Sequence, residues 1–215
     1  MNPAGDDLTI LYADDDLVVV DKPSGLLSVP GKGEENQDCV VARVRARFPK
    51  CMEQPSVHRL DQDTSGLLLL ALTASAHRNL SKQFMDRLVG KRYVALLDGV
   101  LEAAGGVVDL RFRLDPDDRP RQVYDPERGK RGVTRWRRLG VEDGRTRVEF
   151  MPQTGRTHQL RLHSAHEKGL GCPIVGDRLY GSGTGPGQLL LHASLLRFRH
   201  PVTGRPMEFA SKPPF

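Results

Sequence analysis

Leu67-Leu68-Leu69-Leu70, entered through Thr64-Ser65-Gly66 and continued by Ala71, is an unbroken apolar run bounded by turn residues. A run of that length and setting reads as a strand buried on both faces. Directly before it stands Val57-His58-Arg59-Leu60-Asp61-Gln62-Asp63, a polar stretch with one His, one Arg and two Asp. The polar part therefore sits on a loop rooted in the sheet interior, where a rigid element holds a carboxylate in place. On its own this loop admits a nucleophile, a metal cage or a well-capped turn.

The rest of the chain narrows the choice. At 215 residues it predicts one domain over 8–215, preceded by a flexible tail over 1–7. The formal charge is +5, from 32 basic and 27 acidic side chains. That excess permits a polyanionic partner without requiring one, because clustering decides. Cys39, Cys51 and Cys172 are an odd set without CxxC spacing, so free thiols in a reducing, cytoplasmic compartment are expected. No signal-peptide pattern opens the chain, and no apolar run is long enough to span a bilayer.

Short strands are predicted at 8–12, 17–20, 91–97, from 106 to 114, at 132–139, 145–152, 189–198 and 207–210. Three helices are predicted between them. Asp38 caps the first, which runs to about Phe48 with its arginines outward. Thr73 caps the second, with Leu80, Phe84 and Leu88 on its apolar side. Thr157 caps the third, which runs to about Lys168 and closes at Gly169. The triplet Asp14-Asp15-Asp16 reads as a solvated turn, and 115–130 as a long exposed loop. Lys22 opens a segment rich in Pro and Gly, where a lysine either touches a phosphate or stays solvated. Gly181 to Gly187 resembles a phosphate loop only superficially, since no Lys-Ser/Thr follows. Strands outnumber helices, and short turns join many of them. An α+β fold with a mostly antiparallel or mixed sheet is expected.

Two further segments carry chemistry. In Gln153-Thr154-Gly155-Arg156-Thr157-His158-Gln159-Leu160-Arg161, Gly155 allows a tight turn, and the free amides of a helix start can hold an anion. Read alone, Arg161 is better explained as a surface ion pair, and Tyr93 as a half-buried core tyrosine.

Together these segments resemble the RluA family of pseudouridine synthases, which isomerise uridine within RNA. The resemblance lies in His58-Arg59-Leu60-Asp61 with Thr64-Ser65-Gly66, in Lys91-Arg92-Tyr93-Val94 and in Gly155-Arg156-Thr157-His158-Gln159-Leu160-Arg161. It continues in Asp21-Lys22-Pro23-Ser24-Gly25-Leu26, Pro173-Ile174-Val175-Gly176-Asp177 with Leu179-Tyr180-Gly181, and Leu189-Leu190-Leu191-His192-Ala193. It covers the chain from about residue 10 onward. It implies the shared synthase fold, a mixed, mostly antiparallel sheet with flanking helices and a central cleft.

The resemblance also implies roles. Asp61 is the nucleophile, Arg161 its charge partner, and Tyr93 the ring that stacks on the flipped uracil. Arg59 fills the space that the base vacates. His58, Arg156, Arg119, Arg135 and Arg137 complete the expected substrate-binding set, with His58 also supporting the loop. An isomerisation consumes no electron, phosphoryl group or water, so neither cofactor nor metal is expected. The short members of the family act on a tRNA anticodon stem-loop, a large-subunit rRNA hairpin, or both, and a monomer with no membrane partner is expected. The loop over 115–122 is similar to that of the dual-specificity enzyme but lacks an aromatic residue. From the residues themselves, Arg43, Arg45 and Arg47, and the basic run from Arg128 to Arg138, are candidate phosphate contacts. The rival readings are a metal-assisted phosphoesterase using His58, Asp61 and Asp63, and an RNA-binding scaffold without catalysis.

Overall fold

The computed structural model describes residues 8–215; the expected tail over 1–7 lies outside the described residues. In chain order the strands are β1 (Thr9–Ala13), β2 (Leu17–Lys22), β3 (Ser65–Ala71), β4 (Gly90–Leu97), β5 (Gly105–Leu114), β6 (Gln122–Tyr124), β7 (Lys130–Glu142), β8 (Arg145–Pro152), β9 (Leu191–Arg199) and β10 (Pro206–Ala210). The helices are α1 (Val40–Arg47), α2 (Ala74–Met85) and α3 (Gln159–Ala165). This is the α+β class, with mostly antiparallel strand pairing. Two compact units result. One holds the chain up to Gly90 together with Ala193–Pro214, and the other holds Lys91–His192 with Phe215.

In the first unit the strand order is β1-β2-β3-β9, with β10 paired to β9. Every residue of β3 is buried, as are Leu17 to Val20 of β2, so the apolar run is the predicted core strand. The β2–β3 register pairs Val20 with Leu68 and Lys22 with Gly66. Strand β2 therefore reaches two residues further than expected and carries Lys22 inside. The acidic turn before it is more than a solvated one. Asp14 accepts from the amides of Asp16 and Leu17 at 2.8 and 2.9 Å, from the Tyr12 hydroxyl at 2.6 Å, and from His200 Nε2 at 2.8 Å.

Helix α1 is capped by Cys39 rather than by Asp38. The Ala42 amide donates to Cys39 Sγ at 3.4 Å, while Asp38 is drawn to Arg43 by two hydrogen bonds of 2.8 and 2.7 Å. Thr73 caps α2 as expected, through Ala76 N at 3.3 Å. Leu88 does not join its apolar side, because the helix ends at Met85 and Arg87 turns left-handed at φ 59°.

In the second unit the order is β4-β8-β7-β5-β6. Leu97, Phe112, Trp136 and Phe150 form its core with Leu160 and Leu162 of α3. Helix α3 is shorter than predicted. His158 occupies its N-cap at φ 54°, makes no side-chain cap bond, and the chain leaves the helix at His166. The long exposed loop is tied back by β6, whose Tyr124 lies opposite Phe112. Among the described residues, no helix is long and apolar enough to cross a membrane.

Candidate active site

The Asp61 loop is held from below by the segment over 22–28. Ser28 Oγ donates to Leu60 O at 2.7 Å and accepts from Leu60 N at 3.0 Å. Ser24 Oγ donates to Asp63 O at 2.5 Å, and Gly25 N to Gln62 O at 3.0 Å. Beneath them Lys22, with no solvent exposure, sends its ammonium to the carbonyls of Pro23, Leu26 and Gln62 at 3.0, 2.7 and 2.8 Å. An ammonium has three N–H donors, and each finds a carbonyl here. Lys22 is thus neither solvated nor available to a phosphate. Burial pushes its pKa down to about 7, against the charges of Asp63 and Asp61, which raise it.

The far side of the loop is fastened too. Thr64 N closes the turn onto Asp61 O at 3.1 Å. His58 Nε2 accepts from Leu69 N at 3.0 Å, and its ring stacks on Phe84 with centroids 4.6 Å apart. Gly66 has φ 105°, and a Cβ there would collide with the backbone oxygen of Ala193, so only glycine allows β3 to start here. Asp63, Thr64 and Ser65 are buried, whereas Asp61 is half-buried and Arg59 exposed. The loop thereby presents Asp61 from a rigid base.

Arg161 lies in the second unit on α3, 4% exposed, and meets the fully buried Asp177 through hydrogen bonds of 2.8 and 2.6 Å. Burial drives the Asp177 carboxyl up. The hydrogen bonds and charge of Arg161, with the Leu179 and Tyr180 amides, outweigh it and leave the group below the usual carboxylate range. The Tyr180 ring lies 5.3 Å from the Arg161 guanidinium carbon. Its hydroxyl accepts from Gln122 N at 2.7 Å and lies 3.0 Å from His158 Nδ1. Arg161 is therefore a built-in cation, not a surface ion pair.

In the loop before α3, Gln159 N donates to Arg156 O at 3.1 Å. Gln159 Oε1 accepts from Thr154 Oγ1 at 2.7 Å and from Arg156 N at 3.0 Å, and Gln159 Nε2 donates to Val133 O at 3.1 Å and Thr134 Oγ1 at 3.0 Å. Thr157 does not cap the helix, and Gln159 staples the loop to β7. Tyr93 is partly buried against the core of the second unit, opposite Phe150. Lys91 beside it is also largely buried, which pulls its pKa down.

The expected arginine surface is divided. Arg119, Arg135 and Arg156 are exposed. Arg137 is engaged by Glu149 at 2.8 Å, because the β7–β8 register sets the two opposite each other. Arg138 donates to Leu101 O at 2.7 Å, and Arg131 is bound to Asp109. Gln159, Asp177 and Tyr180 carried no expected role, and Lys22 was expected to touch a phosphate or stay solvated. All four stand within the motifs of the resemblance, but a buried charge shows in a sequence only when its partner is known. Among the described residues, the carboxylate and His group whose ligand atoms converge is Asp14, Asp16 and His200, not the loop set of His58, Asp61 and Asp63. The lone pair of His58 Nε2 is already committed to Leu69 N–H.

Residues 16–166 match the family model described as RNA pseudouridylate synthase. The chain is 44% identical, over 97% of its length and 94% of the relative's, to the dual-specificity RNA pseudouridine synthase RluA of Escherichia coli. It is 43% identical to the protein of the same name from Haemophilus influenzae, over 97% of this chain and 94% of that one. Among solved structures, human RNA pseudouridylate synthase domain containing 1 superposes with a TM-score of 0.77 at 30% identity, covering 100% of this chain and 87% of that chain. Human RNA pseudouridylate synthase domain containing 4 gives 0.72 at 26% identity, over 96% and 88%.

Proposed function

The chain belongs to the RNA pseudouridylate synthase family, and from that premise we propose that it isomerises chosen uridines in short RNA hairpins, with Asp61 as nucleophile. The observation that carries this reading is the fastening of the Asp61 loop to the segment over 22–28. A carboxylate acts on C1′ of the ribose only if it is held still and ionised while the glycosidic bond opens. The bond from N1 to C1′ breaks, the uracil turns, and C5 joins C1′. The proton of C5 leaves and N1 gains one, so no cofactor is consumed.

The other roles follow the resemblance. Arg161 serves as the charge partner that the resemblance gives to Asp61, Tyr93 stacks on the turned uracil, and Arg59 occupies the place that the base leaves. Arg119, Arg135 and Arg156 support the RNA, and Arg137 does so once it releases Glu149. His58 acts on the RNA through the loop that it pins. The substrates are a tRNA anticodon stem-loop and a large-subunit rRNA hairpin, in line with the relatives named dual-specificity. Unpaired loop bases are the least costly to splay out. The enzyme acts in the cytoplasm as a monomer, and residues 8–215 work as one catalytic domain; the three free thiols fit a reducing compartment.

The test is direct. Hairpins copied from the anticodon arm and from large-subunit rRNA are incubated with the protein, and pseudouridine is mapped at each uridine. Modification at one loop uridine in each hairpin supports dual action; modification of one hairpin alone restricts the substrate. If neither reacts while an intact ribosomal precursor does, recognition of small hairpins is wrong.

A further inference from the structure

A cavity of about 410 Å³ opens on the second unit beside β5, lined by Asp109, Arg111, Tyr124, Pro126 and Arg131. The β5–β7 register places Arg111 directly opposite Arg131. Like charges in that position destabilise an antiparallel pair, so a fold gains nothing from them unless something anionic lies between. Asp109 feels the charge of both but hydrogen-bonds only Arg131. Its carboxylate takes Arg131 Nε at 2.9 and 3.0 Å and Arg131 Nη2 at 2.5 Å. Among the described residues, the only acceptor that Arg111 meets is Gly129 O, at 3.3 Å.

Further cations flank the opening. Arg156 Nε donates to Arg131 O at 3.4 Å, which brings the loop before α3 to the edge of β7. Lys168 Nζ stands 5.7 Å from the centre of the Tyr124 ring. The nearby Asp125 carboxylate is engaged by Arg113 at 2.6 Å and by the Arg128 amide at 2.8 Å. Two cations, Arg111 and Arg131, therefore line a space whose lining carboxylate is already paired, and Arg156 and Lys168 each touch one of its lining residues. An arginine fork with open donors suits a tetrahedral phosphate.

The geometry points to this cavity as a subsite for a backbone phosphate of the substrate RNA, with Arg111 as its main ligand. Arg131, held rigid by Asp109, supplies the second charge. Arg156 and Lys168 guide the strand in and out. This rests on the reading of the chain as an RNA-modifying enzyme and adds a place where the RNA is gripped apart from the uridine that reacts.

The test compares wild type, Arg111→Gln, Arg111→Lys and the remote control Arg205→Gln. Hairpin affinity is measured from low to moderate salt, with the modification rate at saturating RNA measured alongside. Arg111→Gln is expected to weaken binding several-fold and to flatten the log–log salt dependence by about 0.7, the step for one single-strand phosphate contact. The saturated rate stays at the wild-type value. Arg111→Lys keeps most of the slope, and Arg205→Gln keeps all of it. Unchanged affinity and slope in a folded Arg111→Gln protein overturn the subsite. A second arm titrates inorganic phosphate against chloride at matched ionic strength. If phosphate saturates the wild type while Arg111→Gln leaves the RNA slope intact, the cavity serves a free anion and the RNA assignment is overturned. Because binding is read without turnover, a wild type that binds RNA but makes no pseudouridine defeats the proposed function and leaves the subsite standing.

Discussion

Arg161 and Asp177 face each other across two short hydrogen bonds, with both side chains withdrawn from solvent. Asp177 thus holds the Arg161 guanidinium in place. Removing one member of a buried pair strands the other charge, at a cost of about 3–5 kcal/mol. Arg161→Met should therefore lower Tm strongly as well as stop turnover. In Arg161→Met/Asp177→Leu, the stranded carboxylate is gone and Tm should return towards wild type, while pseudouridine formation stays absent. Recovery of activity along with Tm would show that Arg161 serves only the fold.

Lys22 yields a prediction with a pH signature. Its folded pKa of about 7 lies below the ordinary 10.5, so between those values the unfolded chain binds more protons than the folded one. Wild-type stability should accordingly gain as pH rises from 7 towards 10, relative to Lys22→Met, which lacks this group. Lys22→Met also leaves carbonyls without their donor, at a cost of about 2 kcal/mol. Its turnover should fall several-fold, with RNA affinity nearly unchanged. Denaturant melts of both proteins across this range check the first part; a constant difference would mean that Lys22 does not titrate there.

His163 gives the acid counterpart. It is fully buried on α3, and among the described residues neither ring nitrogen has a hydrogen-bond partner. Burial pushes its pKa down to about 4, although Asp109 pulls the other way. The unfolded chain takes up this proton as pH falls below 6.5, so stability should decline between 6.5 and 4. Over that span the loss reaches about 3 kcal/mol. His163→Leu should remove this part of the acid sensitivity. A variant whose acid unfolding curve overlays the wild type would rule His163 out as its source.

What could be read from the sequence follows the range of the interactions. The apolar strand β3, the Thr73 cap and the strand spacing depend on neighbours within a few residues, and a sequence displays those. Asp38 was the expected cap of α1, but Arg43 drew its carboxylate away and Cys39 took the place. Thr157 looked like a cap for α3, yet the helix starts at Gln159 after a left-handed His158, and Gln159 is held by Val133 and Thr134 far off in the chain. Lys22 shows the same limit more sharply. Its acceptor on Gln62 lies 40 residues away, so nothing local distinguishes a buried ammonium from a solvated one. Asp61, Arg161 and Tyr93 were singled out through the family resemblance; the residues alone left them open.

Asp61→Asn decides whether the Asp61 carboxylate makes pseudouridine. The amide keeps the shape of the side chain but cannot attack C1′ or accept a proton as a carboxylate does. Purified wild type and Asp61→Asn are each incubated with the hairpin that the wild type modifies, with binding measured in parallel. Wild type should convert one loop uridine, whereas Asp61→Asn should bind within a few-fold of wild type and form no pseudouridine. Turnover by Asp61→Asn, free of contaminating enzyme, would exclude Asp61 as the nucleophile.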